Sequence, residues 1–505
     1  MATLALAGGL LAAAQAPAGA APGDYDPAFV GAGRAPLGLG FRVVGLDGLT
    51  DDRFVTVSIR PGNSDALDVR RFTPTGAPDL SFAGSGFVQF GGAAEWGAAE
   101  VAADSARGYT YVSAYSQNGE FSRIWRFSAS GALDPAWGGT GRVDFNASRF
   151  LDIALQPDGR LIVANGASIY RLTATGVVDT TFGSGGGTTL GTSQVDNLAV
   201  LEDGTVLAGG RSATSIDVFR LSANGAIDGD FGVNGRASHR PTPPLGWTIA
   251  SIEPVSIGVQ NDGGIVVSSG AVEQNASNNN TRSPLIVTRF HQGGGYDAKF
   301  STMKNYAVSV SGKLAIQADD KIIVPIVSAG RASLYRLQDD GDLDPTFGVG
   351  GGWSDPEPDS RPTAALVQRP GRIVVSGLAT GKTGLLWGFV GDPTPRCSGA
   401  YATAYGHDRA DVLYGTAGDD VIVGGGGKDT VKAWDGNDLV CGGDGKDLLI
   451  GGKGKDTLRG QGDDDVLRGD GGKDKLQGGG GADKLTGGRG KDKLSGGPGR
   501  DMQRQ

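Results

Sequence analysis

Cysteine and histidine are scarce in this 505-residue sequence, which contains two of the former and three of the latter. Cys397 and Cys441 alone cannot form a zinc site of the thiolate type, which takes four ligands. His239, His291 and His407 are scattered, and none lies in a Gly-x-Ser-x-Gly or His-Glu-x-x-His motif. We therefore expect the histidines to be exposed loop residues, and the sequence presents no candidate catalytic residue.

Long hydrophobic runs and a strong charge excess are also missing. No segment approaches the 18 or more apolar residues of a membrane span, so we expect none. The net charge of −9 is small for this length and favours neither nucleic acid nor an anionic membrane surface as a partner.

The N-terminus carries a short apolar stretch, residues 3–14, followed by the small-x-small sequence Ala18-Gly19-Ala20. Such a pattern is typical of a signal peptide, which we place at residues 1–20, and it predicts a secreted, extracellular protein. The alternative is an Ala-rich tail, because no Lys or Arg precedes the apolar core. In an exported chain Cys397 and Cys441 are expected to form a disulfide, with two free thiols as the alternative.

Glycine is abundant, with 89 residues, which indicates either disorder or a turn-rich repeat. A repeat is present between positions 22 and 390, where the pattern Asp-x-x-aromatic recurs seven times at uneven intervals. Its seven copies are Asp26/Phe29, Asp79/Phe82, Asp134/Trp137, Asp179/Phe182, Asp228/Phe231, Asp297/Phe300 and Asp344/Phe347. The longest interval contains the polar stretch 270–283, which we interpret as a loop insertion.

Each copy is accompanied by short segments rich in Val, Ile and Leu, joined by tight-turn dipeptides such as Asp158-Gly159, Asp203-Gly204 and Asp262-Gly263. About four strands per unit, repeated seven times, predict a seven-bladed β-propeller; an open β-solenoid is the rival. The last unit lacks its own Asp-x-x-aromatic motif while residues 23–29 supply an unattached one, as closure of a ring requires.

The motif itself has two interpretations. We expect each aspartate to accept backbone N–H bonds in a tight connection, and each aromatic ring to anchor that connection between neighbouring blades. The alternative is a ring of seven metal ligands facing one channel. The units at 126–143 and 335–351 resemble the delta-sixty repeat of bacterial exported proteins, a propeller-forming family that implies a scaffold more than a reaction.

A second, nonapeptide repeat occupies 406–504, with an aspartate at the sixth position of every unit. An apolar residue follows two places later in ten of the eleven units, the exception being Gln503. The aspartates are Asp411, Asp420, Asp429, Asp438, Asp447, Asp456, Asp465, Asp474, Asp483, Asp492 and Asp501. The unit follows G-G-x-G-x-D-x-U-x and resembles the repeat-in-toxin (RTX, hemolysin-type) nonapeptide, which implies a parallel β-roll that binds calcium.

The spacing suggests how calcium is held. A glycine-rich turn and a short strand alternate, so two units form one coil, and aspartates two units apart stack on the same side. All eleven aspartates are thus candidate Ca²⁺ ligands, together with turn carbonyls. Because the 29 glycines of 406–505 each cost about 0.5–1 kcal/mol relative to alanine, we expect the segment to fold only with calcium. A permanently disordered tail is the alternative.

Three departures from the RTX pattern bear on function. Position five is lysine at 428, 446, 455, 473 and 491, which predicts weakened, extracellular-range calcium affinity, and position four is Asp463 in one unit. The sequence ends at the last repeat, so we expect export through the N-terminal signal and not through a C-terminal secretion segment.

The predicted organisation is therefore all-β: a signal peptide (1–20), a propeller (22–390), a linker (391–405) and a calcium-binding β-roll (406–505). We expect a secreted, calcium-stabilised scaffold for recognition of a cell-surface or matrix partner. An alternative is a secreted propeller enzyme, a hydrolase or lyase acting on polysaccharide, because such sites assemble from different blades and leave no local motif. A third possibility makes the β-roll a folding clamp that orders only outside the cell.

Overall fold

The computed structural model describes residues 22–39, 42–60, 66–91, 96–116, 120–146, 150–192, 194–300, 308–310, 312–368, 371–379, 383–392, 395–406 and 409–505. The predicted signal peptide, residues 1–20, and His407 lie outside these ranges. Every regular element within them is a β-strand, in agreement with the predicted all-β class. The same ranges contain no helix long and apolar enough to cross a membrane.

Seven antiparallel sheets in the described part of the chain form the blades of a propeller. Blade 1 contains β2 (Arg42–Gly48), β3 (Phe54–Arg60), β4 (Ala66–Phe72) and β5 (Phe87–Phe90), and blade 2 contains β6 (Trp96–Asp104), β7 (Tyr109–Ser116), β8 (Phe121–Phe127) and β9 (Arg142–Asn146). Blade 3 contains β10 (Phe150–Leu155), β11 (Leu161–Asn165), β12 (Ser168–Leu172) and β13 (Gly187–Thr189). Blade 4 contains β14 (Gln194–Val200), β15 (Val206–Arg211), β16 (Ile216–Leu221) and β17 (Arg236–His239). Blade 5 contains β18 (Trp247–Ile252), β19 (Ser256–Val259), β20 (Ile265–Asn275), β21 (Thr281–Arg282) and β22 (Leu285–Phe290). Blade 6 contains β23 (Val308–Val310), β24 (Ala315–Ile316), β25 (Ile322–Ser328), β26 (Arg331–Leu337) and β27 (Gly352–Ser354). Blade 7 contains β28 (Arg361–Gln368), β29 (Arg372–Ala379), β30 (Thr383–Phe389) and the N-terminal strand β1 (Arg34–Leu39).

The predicted Asp-Gly hairpins join the strands within blades. Gly159, Gly204 and Gly263 have φ angles of +85°, +82° and +80°, a region that favours glycine. The preceding aspartate stabilises each turn; for example, Asp203 Oδ1 accepts the N–H of Thr205 at 2.8 Å. The core lies between adjacent sheets, where the strands are buried on both faces, as β3 is over Phe54–Ile59.

Ring closure occurs as predicted. Strand β1 pairs antiparallel with β30, so the N-terminal segment supplies the outermost strand of blade 7. The unattached motif also joins blade 7. Asp26 donates its N–H to Gly388 O at 2.9 Å, and its carboxylate is paired with Arg372. The first and last segments of the propeller thus share one sheet.

The Asp-x-x-aromatic motif has the predicted structural role. In each blade the aspartate Oδ1 accepts the N–H two positions further along, as Asp179 does from Thr181 at 3.1 Å. The carboxylate is also paired with an arginine, here Arg171 at 2.9 Å, whose guanidinium lies 4.9 Å from the centre of the Phe182 ring. The ring packs against Gly225 of the next blade, where an added Cβ would lie 2.7 Å from it. These aspartates are ion-paired within their blades, and so the metal-ring alternative is wrong.

Two sequence expectations for the propeller are incorrect. His239 is not an exposed loop residue, because it ends strand β17, is half-buried and stacks on Tyr296 with the ring centres 4.4 Å apart. The polar stretch 270–283 is not a loop insertion, because β20 continues through it to Asn275 and pairs with both β18 and β21. Arg282 holds this extension by pairing with Glu273 at 2.6 Å and stacking over the Trp247 ring at 4.3 Å. The polar extension of β20 is stable here because the backbone of β18 pairs with it.

The C-terminal segment is a parallel β-roll that follows the short hairpin of β31 (Arg396–Cys397) and β32 (Ala400–Tyr401). Its two six-stranded sheets alternate along the chain, and each strand pairs in register with the equivalent strand two repeats later. The first sheet contains β33 (Ala404–Tyr405), β35 (Val421–Gly426), β37 (Leu439–Asp444), β39 (Thr457–Gln461), β41 (Lys475–Gly479) and β43 (Lys493–Ser495). The second contains β34 (Val412–Tyr414), β36 (Thr430–Lys432), β38 (Leu448–Gly454), β40 (Val466–Gly472), β42 (Lys484–Gly490) and β44 (Met502–Arg504).

One apolar side chain per repeat forms the thin core of the roll, as predicted. From Ile422 to Leu485 these position-eight residues are fully buried, and Gln503 marks the exposed end. The disulfide between Cys397 and Cys441 is present and attaches the hairpin of β31 and β32 to strand β37. The roll is therefore covalently tied to the segment that leaves the propeller.

Candidate metal centre

The predicted aspartates form two ladders, one on each edge of the β-roll. In both ladders the Oδ1 of one aspartate accepts the backbone N–H of the aspartate two repeats earlier, over distances of 2.8 to 3.1 Å. Asp456 Oδ1, for example, accepts the N–H of Asp438 at 3.0 Å. The pairing inferred from the repeat is thus present from Asp411 to Asp501.

The second carboxylate oxygen makes these ladders a candidate cation site. The Oδ2 atoms of seven aspartates are buried and accept no hydrogen bond from the described residues. They belong to Asp438, Asp447, Asp456, Asp465, Asp474, Asp483 and Asp492. A buried carboxylate oxygen without a partner is costly, so a cation is the complement that this arrangement lacks.

Glycine at position one packs against the Oδ2 of its own repeat from Asp447 to Asp492, whereas Ala433 occupies that position in the repeat of Asp438. The first glycine of a repeat faces the aspartate of the same repeat, and a Cβ added to Gly442 would lie 2.4 Å from Asp447 Oδ2. The corresponding distance is 2.1 Å for Gly460 and Asp465. The glycine at position one therefore leaves room for the carboxylate itself, which a Cβ at that position would displace.

The electrostatics of the ladders also favour a cation. Burial raises the pKa of Asp438 and Asp465 to about 7 and that of Asp456 to about 6, and neighbouring carboxylates add to each increase. Stacked, desolvated carboxylates repel one another, and a divalent ion between them removes both penalties. Within the described ranges no three His, Cys, Asp or Glu side chains converge on one point, so backbone carbonyls must complete any coordination shell.

The ladders are not uniform at their N-terminal end. Asp411 lies 3.5 Å from Arg409, which occupies the glycine position of its repeat. Asp420 Oδ2 accepts bonds from the N–H and the hydroxyl of Thr416, at 2.6 and 2.8 Å. These two aspartates already have partners. The sequence indicates this difference, because a residue other than glycine stands at position four in the repeat of Asp411 and at position two in the repeat of Asp420. The fit to a cation is best from Asp438 onward.

The position-five lysines lie on the outside of the roll, and all five are exposed. Lys446, for example, pairs with Asp464 of the next coil at 2.7 Å and not with the buried Asp447. The contacts of this lysine thus run along the surface from one coil to the next, as the repeat register dictates.

The centre of the propeller contains a charged group that no sequence motif signals. Lys313 of blade 6 reaches Glu100 of blade 2 at 2.9 Å and Asp152 of blade 3 at 2.7 Å. The three residues come from different blades, so only the closed ring brings them together. Asp152 also accepts bonds from the Asn197 side chain and the Leu198 N–H, which ties blade 3 to blade 4.

Comparison with known families agrees with the geometry of the roll. Residues 405–440, 442–476 and 468–502 match the model of the RTX calcium-binding nonapeptide repeat. The C-terminal segment consists of RTX calcium-binding repeats. Residues 156–182 match a β-propeller domain of unknown function, DUF5122. No curated protein sequence matches the chain.

Several solved structures are similar to the propeller at low identity. YCF48 from Cyanidioschyzon merolae is 14% identical, with 70% of this chain and 98% of that chain covered and a TM-score of 0.42. The β-propeller domain of the Trilobed protease from Pyrococcus furiosus is 9% identical, with 71% and 95% covered and a TM-score of 0.38. Sqt1 from Chaetomium thermophilum is 13% identical, with 70% and 98% covered and a TM-score of 0.36. The pairing of the strands into seven sheets by itself shows the propeller.

Proposed function

We propose that this calcium-binding propeller protein is exported, that its β-roll folds on extracellular calcium, and that its propeller recognises a cell-surface or matrix partner. The observation that carries the calcium-dependent part is the ladder of aspartates whose buried Oδ2 atoms accept no hydrogen bond from the described residues. The proposed ligands are the eleven position-six aspartates with turn carbonyls, and Asp438 to Asp492 are the strongest candidates.

The energetics make calcium a condition of folding in this proposal. The core of the roll is one side chain wide, and its turns place glycine at φ angles of +103° to +153° in positions two and four. Such a core stabilises the fold too little to offset both the glycine entropy and the repulsion between stacked carboxylates. Binding free energy of the metal then becomes folding free energy.

One observation, one consequence of the proposed folding and one sequence resemblance support export. The disulfide between Cys397 and Cys441 suits an oxidising compartment outside the cytosol. Calcium-dependent folding suits the same location, because a roll that stays unfolded at the low calcium level of the cytosol orders only after export. The resemblance of the propeller units to delta-sixty repeats of bacterial exported proteins supports this location as well.

The recognition role draws support from the outer surface of the propeller. In blades 2 to 5 the residue before the motif aspartate is a large apolar side chain that is 39 to 44% exposed. These residues are Leu133, Val178, Ile227 and Tyr296. The proposal places the contact with a partner on these exposed side chains.

The calcium-dependent part is tested by circular dichroism and limited proteolysis of the full chain in chelator, in Mg²⁺ and in Ca²⁺. We expect the propeller to resist protease in all three conditions and residues 406–505 to resist it only in Ca²⁺. Full protection of the roll in chelator would contradict the proposal, and so would a roll that stays protease-sensitive at millimolar calcium. Binding of the secreted protein to whole cells and extracted matrix, with and without calcium, tests the recognition part.

A further inference from the structure

One edge of the β-roll is basic. The turns that make up this basic edge are residues 433–437, 451–455, 469–473 and 487–491, which carry five Lys or Arg and two Asp besides the buried ladder. The turns of the opposite edge from position 424 onward carry three of each. The excess of positive charge is therefore confined to one edge.

Three lysines of the basic edge stand in a single column. Lys455, Lys473 and Lys491 occupy position five of successive coils on this edge, and all are exposed. Paired strands of the roll are about 4.8 Å apart, so each ammonium has a like-charged neighbour one coil away. Like charges stacked in register repel each other unless an anion lies along them. On the opposite edge the corresponding column is interrupted by Asp464 and Ala482.

An exposed tryptophan stands on the same edge. Trp434 is 55% exposed and has a φ angle of +73°, at a repeat position where six of the eleven units have glycine. A bulky residue in this region is strained, and such strain concentrates at functional sites. The equivalent residue in the next coil is Gly452. A Cβ added there would lie 1.7 Å from Trp434 O, so this position cannot carry a side chain that covers the indole.

An open groove of about 580 Å³ runs from Trp434 along the roll. Gly452, Gly471 and Gly488 line it together with Lys432, Lys453 and Arg489. Asp435 and Asp470 also line it, and Asp435 pairs with Lys453 at 2.9 Å. Lys453 and Arg489 are two coils apart, which is about 10 Å along the roll axis. A long anionic chain lying in this direction runs parallel to the lysine column, in which a cation recurs at every coil.

We propose that the basic edge binds an acidic polysaccharide that lies along the roll axis, with a sugar ring stacked on Trp434 and its anionic groups paired with the lysine column. The apolar face of a pyranose complements an indole, and its carboxylates or sulfates form charge-assisted hydrogen bonds with ammonium and guanidinium groups. This site deepens the proposed recognition function and rests on the calcium-folded roll.

The test is calorimetric titration of the full chain with a uronic acid hexasaccharide and a sulfated hexasaccharide in excess calcium, with a neutral dextran oligomer as reference. We expect at least one acidic probe to bind, and the neutral one not to bind. Trp434→Gly, which restores the common residue of the repeat, should weaken binding about two- to tenfold. The triple variant Lys455→Ala/Lys473→Ala/Lys491→Ala should weaken it on the order of a hundredfold.

The matched control is Lys428→Ala/Lys446→Ala on the opposite edge, which should bind like the unaltered protein. Equal loss in this control, or unaltered binding by the triple variant, would overturn the site; the latter would mean that calcium itself bridges the polyanion. Binding to phosphatidylserine vesicles without binding to either acidic oligosaccharide would also overturn it. Circular dichroism of the same samples separates the two proposals: a roll that fails to fold in calcium defeats the proposed function, whereas a folded roll without affinity defeats only the basic-edge site.

Discussion

Arg372 of blade 7 donates a buried hydrogen bond to the carboxylate of Asp26, and this contact joins segments 346 residues apart in the chain. In the other blades the motif aspartate is paired with an arginine eight positions before it in the chain. In blade 7 the strand position that corresponds to this arginine is occupied by Gly388, and the Phe29 ring packs against it. Arg372 instead approaches from β29 and also donates to Pro74 O of the neighbouring blade at 2.9 Å. A single ion pair thus connects the two ends of the propeller and its first blade.

We expect Asp26→Ala to destabilise the propeller by about 3–5 kcal/mol, because it leaves the buried Arg372 charge without its partner. The measurement is urea unfolding in excess calcium, followed by the fluorescence of the buried Trp387 and the other propeller tryptophans. Asp51→Ala is the control, since Asp51 pairs with Arg53 on the surface and its loss should cost about 1 kcal/mol or less. Equal midpoints for the two variants would contradict the closing role of Asp26.

Replacing one ladder carboxylate should raise the calcium requirement of the roll. Asp456→Asn keeps the acceptor for the Asp438 N–H but removes the buried charge, so we expect the calcium midpoint of folding to rise on the order of tenfold, or about 1.4 kcal/mol. Circular dichroism during a calcium titration measures it. Asp444→Asn, an exposed aspartate of the same roll, should leave the midpoint unchanged. A midpoint for Asp456→Asn equal to that of Asp444→Asn would remove Asp456 from the proposed ligands.

The charged group at the centre of the propeller predicts a pH dependence of stability. Burial raises the pKa of Glu100 to about 7, against the attraction of Lys313 and with Asp152 and Asp47 adding to the increase. Because the folded state then holds this proton more tightly than the unfolded state, the Glu100 contribution to stability falls as pH rises from about 4.5 to about 7.

Glu100→Gln should therefore be increasingly more stable than the unaltered protein across that interval, by up to about 3 kcal/mol at pH 8. Urea unfolding of the propeller at several pH values, in saturating calcium, measures the difference. The exposed Glu120→Gln is the control and should follow the unaltered protein at each pH. A constant difference between Glu100→Gln and the unaltered protein would refute the assignment.

The turn glycines of the roll are not equivalent. Gly454 has a φ angle of +130°, and a Cβ there would lie 1.6 Å from Gly436 O, so Gly454→Ala should prevent this coil from closing. We expect the roll of that variant to stay protease-sensitive at millimolar calcium. Gly462→Ala, in the turn of the next repeat, has its nearest contact at 3.6 Å and no positive φ, and its roll should fold. Normal folding of both variants would show that the tight approach between coils is absent in solution.

Much of this architecture follows from the sequence because repeats impose their own register. The nonapeptide period determined the strand of each unit, the buried apolar residue and the pairing of aspartates two repeats apart, from Asp411 to Asp501. The Asp-x-x-aromatic motif determined the blade number, and the unattached motif at Asp26 determined how the ring closes. Periodic contacts between equivalent positions need no information beyond the period itself.

Only the tertiary structure decided what the deviating repeats contact and what meets across the ring. The pairing of Asp420 with Thr416, the open groove beside Trp434 and the strand extension over 270–275 depend on local side chains that the period does not specify. The contact of Lys313 with Glu100 and Asp152 depends on closure of the whole propeller. Residues far apart in the chain meet there because seven blades surround one axis, a geometry that no local spacing encodes.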